Sequence, residues 1–488
     1  MVETLHKYRY LVLLFYVLMA LLLTVIIRQD AFMLLNFAIV GALISFLLIK
    51  NEVLLLIATI LAAIFHEGIY FINGTYIIIY LYGLMVISLL FNKRRIDIAP
   101  AVLFIAMLAI LLSLAPIFDI GSSLPIVAIS AIKRFGFIIL FVFALNITNL
   151  YKKYSNLLNW LIVTILVVNF LVAVVQYFQG IYNQDDITGF LGGNTTGVFM
   201  YLFMFYLAIL SGLHYYKKIS TFLFFALTMI PIIYSAIAEV KIGFVSIAIL
   251  LIVYLVFINK GLKSLLLLIA TSFVFSWAYF FLISVYPEHD FLNMAFLDEY
   301  LVEQSYGGDG TINRFGFKPT VDAVVFEEKN SEIIFGKGLG SGNPSEMDIL
   351  KGEVYRNFDY LKYSWFTLPY LYIETGWVGT IAYVLIYILP LIIALKAFKR
   401  EKSMLAIIVI LMSVTNFVFL PYNAGLFSYG VTTIYWIYVA MLINDKKSAV
   451  TLVSIKDQLI PAKLTLVGKP ALKMNEAGGS YDLKINKS

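Results

Sequence analysis

The sequence predicts an all-α, polytopic membrane helix bundle of about fourteen transmembrane helices with one large extracytoplasmic loop. Three observations predict it. The 488-residue chain is 62% hydrophobic and only 13% charged, with a mean hydropathy of +0.93, whereas a soluble domain is about half apolar and about a quarter charged. Its apolar runs recur at close to the roughly 20 residues that a helix needs to cross a bilayer core. The bases between those runs fall on alternate turns, as they do where cytoplasmic loops retain Lys and Arg.

The runs, in order, are 10–27, 31–49, 53–72, 76–91, 100–115, 125–147, 158–178, 196–213, 221–238, 242–258, 264–286, 367–395, 404–420 and 426–443. No small-residue cleavage pattern follows the first, so it reads as a retained helix rather than a signal peptide. Lys50-Asn51-Glu52 and Asn73-Gly74-Thr75 are turns short enough to set their neighbours antiparallel. With Lys7 and Arg9 inside, the inner turns carry Lys50, Lys93-Arg94-Arg95, Lys152-Lys153, Lys217-Lys218, Lys260 with Lys263, and Lys396 to Lys402. The short turns on the other side hold Arg28 beside Asp30, then Asp119, Asp185 and Asp186. A miscount by one helix would break this alternation from that point onward. The expected organisation is a membrane domain over 1–443, with residues 287–366 outside, and a cytoplasmic tail over 444–488. Both termini are then cytoplasmic. The tail is polar and basic; Val450–Ile455 and Lys463–Val467 alternate weakly, and it reads as loosely ordered and without chemistry.

Several chemistries are excluded. Cysteine is absent, which removes disulfides, thiol nucleophiles and cysteine-ligated metals. The net charge of +6 belongs to the inner turns, and no basic patch is interleaved with stacking aromatics, so no nucleic-acid partner is expected. Neither a P-loop nor a dinucleotide fingerprint is present. The four histidines, His6, His66, His214 and His289, are scattered without metal-ligand spacing. His66-Glu67 reads as an interfacial pair or as an acid/base pair. Neither a cofactor nor a metal is expected.

Against a positive-inside background, cations on the outer half stand out. Lys133 and Arg134 lie inside the run 125–147, about 13 Å below the outer surface at 1.5 Å per residue. Each would cost about 2.5–3.5 kcal/mol facing lipid. Lys241 follows Glu239 at the outer mouth of the run 242–258. The polar loop adds Arg314, Lys318, Lys337, Lys351, Arg356 and Lys362, among fourteen acidic and seven basic residues. One reading makes these snorkelling or paired charges and a solvated loop. The other brings Lys133, Arg134, Lys241 and Arg314 together on an anionic lipid headgroup such as a pyrophosphate. Guanidinium suits bidentate phosphate binding, while lysine supplies a point charge.

Four motifs accompany the cations. Gly192-Gly193-Asn194-Thr195-Thr196-Gly197 opens the run 196–213. Ser235-Ala236-Ile237-Ala238-Glu239-Val240-Lys241 leads into the run 242–258. Asn313-Arg314 is followed by Gly336-Lys337-Gly338-Leu339-Gly340. Tyr363-Ser364-Trp365 leads to Glu374-Thr375-Gly376-Trp377-Val378-Gly379. In order and spacing, over roughly 70–440, these resemble the O-antigen polymerase and ligase superfamily, the Wzy-type polymerases and their ligase relatives. Lys241 stands where arginine is common in that family, and Trp365 stands near where ligase relatives carry a histidine, which argues against the ligase. On its own the glycine run also reads as a flexible turn that permits positive φ.

The resemblance implies a metal-independent membrane glycosyltransferase of GT-C-like architecture, in a bacterial plasma membrane, that polymerises polyprenyl-pyrophosphate-linked oligosaccharide repeats into a surface polysaccharide. It implies Arg314, Lys241, Lys133 and Arg134 as pyrophosphate ligands, with Glu239 orienting Lys241. Arg356 joins the substrate-binding set, and Trp365 stacks on a sugar ring. Glu353, Asp359 and Glu374 are candidate bases, and Glu374 reads equally as a structural helix-end carboxylate. The partners implied are lipid-linked oligosaccharides, membrane lipids, and a chain-length regulator and flippase of the same pathway. The alternatives are a ligase moving finished glycan to a lipid or wall acceptor and, in a different class, a transporter or flippase. A transporter often shows two similar halves with charges near the midplane, and this sequence shows no duplication.

Overall fold

A computed structural model describes residues 30–66, 68, 74–91, 124–180, 186–192, 195–258, 261–285, 310–345 and 347–445. The expected spans 10–27 and 100–115, the 287–309 part of the polar loop, nearly all of the 444–488 tail, the turn Lys93-Arg94-Arg95, and Glu67, Gly193 and Asn194 lie outside the described residues.

Among the described residues the protein is helical and contains no strand. The principal helices are α1 (Asp30–Lys50), α2 (Glu52–Phe65), α3 (Gly74–Phe91), α4 (Leu124–Phe135), α5 (Phe137–Asn146), α6 (Ser155–Phe178), α7 (Thr196–Tyr215), α8 (Thr221–Ile237), α9 (Lys241–Ile252) and α10 (Leu262–Val285). Three short helices follow in the polar segment, α11 (Phe317–Thr320), α12 (Asn330–Phe335) and α13 (Glu353–Phe358). The last are α14 (Thr367–Glu401), α15 (Met404–Phe419) and α16, 429–445.

Among the described residues, four helical segments are long and apolar enough to cross a membrane: α3, Leu150–Phe178, α7 and α14. The number rises to six if each of two bent pairs is one span, α1 with α2 and α4 with α5. This is the build of a helical membrane protein. Helices α8, α9 and α15 are apolar but have 17, 12 and 16 residues, short of the roughly 20 that a bilayer core takes.

One expected turn is present and one expected straight run is interrupted. At Lys50-Asn51-Glu52, read from the sequence as a turn, the chain bends by 119°. Asn51 adopts an extended backbone there, and its side chain accepts from the Leu54 N–H, capping α2. The run 125–147 bends by 46° between α4 and α5, which leaves Lys133 and Arg134 in the last turn before the break.

Helix α7 is buried on every side from Phe199 to Leu213, as an all-apolar helix inside a bundle should be. It packs on α15, and α15 on α14. Phe137 of α5 stacks on Trp436 of α16 with ring centres 4.7 Å apart. Two polar pairs lie in this interior: Tyr201 donates to Asn416 at 2.7 Å, and the hydroxyls of Ser413 and Tyr435 meet at 3.0 Å.

The described part of the polar segment is folded, with its own small core. Ile312, Phe317, Val321, Val325, Phe326 and Val354 cluster against Tyr370, Tyr372 and Ile373 of α14. The Tyr372 hydroxyl donates to Asp322 at 2.6 Å. The segment is therefore fastened to the first two turns of α14 rather than suspended between helices.

Candidate functional site

Where the polar segment meets the bundle there is a cavity of about 570 Å³. Its wall includes Lys133, Arg134, Glu239, Lys241, Arg314 and Trp365. Four stretches far apart in sequence thus supply six of the eight residues named from the sequence.

Arg134 is 7% exposed. Its guanidinium lies 4.0 Å from the centre of the Tyr370 ring and 3.7 Å from that of Phe427. One of its terminal nitrogens donates to Glu374 Oε2 at 3.1 Å. Cation–π contact is strongest where water is excluded, and a buried charge needs a partner; Arg134 has both. The neighbouring Lys133 donates from Nζ to Asn343 Oδ1 at 3.1 Å, so α4 and the polar segment are joined directly.

The glycine run explains how Glu374 is held. Gly336 has φ +77° and Gly376 has φ +57°. A Cβ on Gly336 would run into the Glu374 and Thr375 backbone, and one on Gly376 into the Ile334 backbone. The Lys337 and Gly338 N–H groups donate to the carbonyls of Ile373 and Glu374 at 2.8 and 2.9 Å. The Gly340 N–H donates to Glu374 Oε1 at 3.0 Å. The run is thus a strap locked against a break in α14, and both glycines are needed because each faces backbone in a positive-φ conformation.

Lys241 is the first residue of α9. A cation is disfavoured at the positive end of a helix dipole, so something else sets this position. Glu239, side chain 1% exposed, lies 3.7 Å from its ammonium. Glu239 itself has φ +52°, and the next N–H, of Val240, donates back to the Ser235 carbonyl at 3.0 Å. That is a Schellman ending for α8, with a carboxylate where glycine is usual. A non-glycine residue there carries about 1–2 kcal/mol of strain, and strain of this sort gathers at functional sites.

Arg314 is 2% exposed. Its Nε donates to the Tyr422 carbonyl at 3.2 Å. Its guanidinium lies 4.6 Å from the Tyr422 ring centre and 5.5 Å from that of Phe366. Trp365, by contrast, is 46% exposed at the rim, open to stacking.

Arg356 and Glu374, both named from the sequence, are not on the wall. Arg356 donates to the Asp348 carbonyl at an exposed position. Glu374 stands behind Arg134, fully buried, with both oxygens engaged, which favours the structural reading over the base. The other candidate bases are also elsewhere. Glu353 is exposed, and Asp359 pairs with Lys362 at 3.2 Å. In the polar segment, the buried Tyr363 phenol donates to the Gly342 carbonyl at 3.1 Å, and burial pushes its pKa far above the usual phenol value, so it remains a donor.

The sequence reading missed part of the wall. Tyr422, Asn423 and Phe427 belong to it; His66, read from the sequence as part of an interfacial or an acid/base pair, lines the cavity as well. A signal for the first three existed: Pro421-Tyr422-Asn423-Ala424-Gly425 is a polar interruption between two apolar runs, longer than a simple reversal needs. No family of known proteins, no curated protein and no solved structure matches the chain.

Proposed function

We propose that the protein is a membrane glycosyltransferase that polymerises polyprenyl-pyrophosphate-linked oligosaccharide repeats. The observation that carries this reading is the convergence of Lys133, Arg134, Lys241 and Arg314 on one cavity between apolar helices and a folded polar segment. An amphiphile with an anionic headgroup suits such a place. Its chain lies among the helices, and its pyrophosphate meets fixed cations.

In this reading the full bundle has fourteen transmembrane helices. The termini are cytoplasmic and the polar segment is extracytoplasmic. The growing chain is the donor. The terminal hydroxyl of an incoming lipid-linked repeat attacks its anomeric carbon, and the bond to pyrophosphate breaks. Negative charge then grows on the leaving oxygen. Lys241 and Arg314 stabilise it without reorganising, because ion pairing and ring contacts already hold them, and preorganised charge is the strongest single source of rate enhancement in many enzymes. Lys133 contacts the remaining phosphate oxygens. Arg134, clamped by Tyr370, Phe427 and Glu374, keeps the wall positive. Trp365 offers a ring face to a sugar at the rim. Protein cations fill the role a metal ion has elsewhere, so a chelator leaves the rate unchanged.

Deleting the gene and analysing carrier-linked and surface glycans tests this. Loss of a polymerase leaves glycans of one repeat, still transferred to their final acceptor. Long chains stranded on the carrier would identify a ligase instead. Single repeats confined to the cytoplasmic leaflet would identify a flippase.

A further inference from the structure

We propose that the polar segment stands in the bilayer on an apolar foot, Ile334 and Phe335 at the end of α12, inserted where the lipid headgroups meet the acyl chains. The partner is lipid, and the contact needs no assumption about the reaction in the cavity. Single exposed apolar side chains are ordinary on any protein. Ile334 and Phe335, 43% and 55% exposed, are set apart by where they lie.

Their level is fixed by α14. Beyond the break at Gly376, that helix leaves Trp377, Ile381, Leu385, Ile392 and Leu395 exposed. Their spacing keeps them on one helical face. From Trp377 to Leu395 is about 27 Å at 1.5 Å per residue, close to the roughly 30 Å of a bilayer's hydrocarbon core. The exposed bases Lys396, Lys399 and Arg400 follow at once. The stripe is therefore the lipid-facing side of a helix long and apolar enough to span. Trp377 stands at its other end, and tryptophan is enriched at membrane boundaries.

The end of α12 meets α14 at that boundary. A Cβ on Gly376 would lie 2.4 Å from the Ile334 carbonyl oxygen and 2.5 Å from the Phe335 nitrogen. Ile334 and Phe335 are thus level with Gly376 and Trp377, and they prolong the exposed stripe onto the polar segment. Exposed apolar surface that is contiguous in this way marks a contact with a membrane or a partner, and here it continues a face that lipid already covers. Neither residue is a spare member of the segment's own core: Ile333 packs against that core, and Ile334 and Phe335 do not. The charges gather at the other end of the helix, where the exposed Lys329 pairs with Glu327 at 2.9 Å and Glu332 at 3.8 Å.

The foot bears on the cavity through the strap. Gly336 follows Phe335 directly, and the strap runs on to the Gly340 N–H that holds Glu374 and to Asn343 and Pro344 of the wall. A foot held at the bilayer boundary sets the height of that side of the wall against the headgroup layer. An amphiphile entering from the bilayer then meets the wall at a fixed depth.

The chain contains no cysteine, so one introduced cysteine carries a nitroxide at a single known place. Ile334→Cys, Phe335→Cys and Lys329→Cys are made in the full-length protein, reconstituted in vesicles of phosphatidylethanolamine and phosphatidylglycerol. Spin relaxation is measured with oxygen, which concentrates among acyl chains, and with a water-soluble nickel chelate. Oxygen should outweigh nickel at 334 and 335, and nickel should outweigh oxygen at 329. Phe335, the more exposed of the pair, decides where the two differ. Nickel prevailing at 335 would put the foot in water and overturn the proposal. Exclusion of both reagents at 335 would overturn it too, by showing that protein rather than lipid covers the patch.

Discussion

Arg314 and Lys241 are held for different reasons, and their variants should differ accordingly. Arg314 is clamped by the Tyr422 carbonyl and two rings, so Arg314→Ala should cut chain extension by about 100-fold or more, the loss seen when one preorganised donor is removed. Arg314→Lys should recover only part, since an ammonium has neither the fork nor the flat face. Lys241→Ala should behave like Arg314→Ala, whereas Lys241→Arg should stay active, because Glu239 can pair with either cation. Lys329→Ala is the control: that lysine is exposed and pairs with Glu327 and Glu332 away from the cavity. Glycan length and protein abundance measured together check these outcomes, and wild-type length in both alanine variants would remove the pyrophosphate site. Glu374 belongs to stability rather than chemistry. Glu374→Ala strands Arg134 as a buried charge, which should cost about 3–5 kcal/mol, read as a lowered unfolding temperature in detergent; Glu374→Gln, which still accepts from Gly340, should lose less. The cations were legible in the sequence because each broke a charge pattern. Which of the two readings of Glu374 and of His66 applied was not, nor was the place of Arg356, since a carboxylate behind a wall, a base on an exposed helix face and a histidine on a wall look alike in one dimension.

Among the elements, the strap of Gly336–Gly340 against the break at Gly376 joins the polar segment to the bundle. Replacing either glycine by alanine places a methyl group into facing backbone at positive φ, and strain of that sort costs about 1–3 kcal/mol before any clash is relieved. Gly376→Ala should therefore release the segment while the bundle stays inserted. The measurement is limited proteolysis: new cleavage within 310–366 with intact flanking fragments is expected, and an unchanged digest would show that the strap is not the fastening. Helix positions were well read from apolar run length: the expected 196–213 is observed as Thr196–Tyr215, and 221–238 as Thr221–Ile237. Run length is silent about bends. The 46° break after Phe135 leaves hydropathy unchanged, because hydropathy counts burial and not direction, whereas the turn at Lys50-Asn51-Glu52 shows as a polar interruption. The glycine run read equally as a mobile turn, since nothing in it names the backbone it meets in α14.

For the whole molecule, orientation decides whether the cavity can do what is proposed. Lipid-linked repeats become available to a polymerase on the extracytoplasmic leaflet, so the cavity must open there. The turns with Lys152 and Lys153, Lys217 and Lys218, and Lys396 to Lys402 fall at the end of the bundle that the positive-inside pattern assigns to the cytoplasm. The four wall cations and the polar segment fall at the opposite end of that pattern. Bases on that side run against the pattern, and the proposed anionic headgroup would add to the negative charge that Glu239 and Glu374 place beside Lys241 and Arg134. A topology reporter fused after Ser345 should therefore be extracytoplasmic, and one fused at Val450 cytoplasmic. If the reporter after Ser345 is cytoplasmic, Lys133, Arg134, Lys241 and Arg314 become ordinary inner-face bases. The pyrophosphate would then have to be met on the leaflet where repeats are assembled, and a cytoplasmic-facing transporter becomes the better reading of the same cavity.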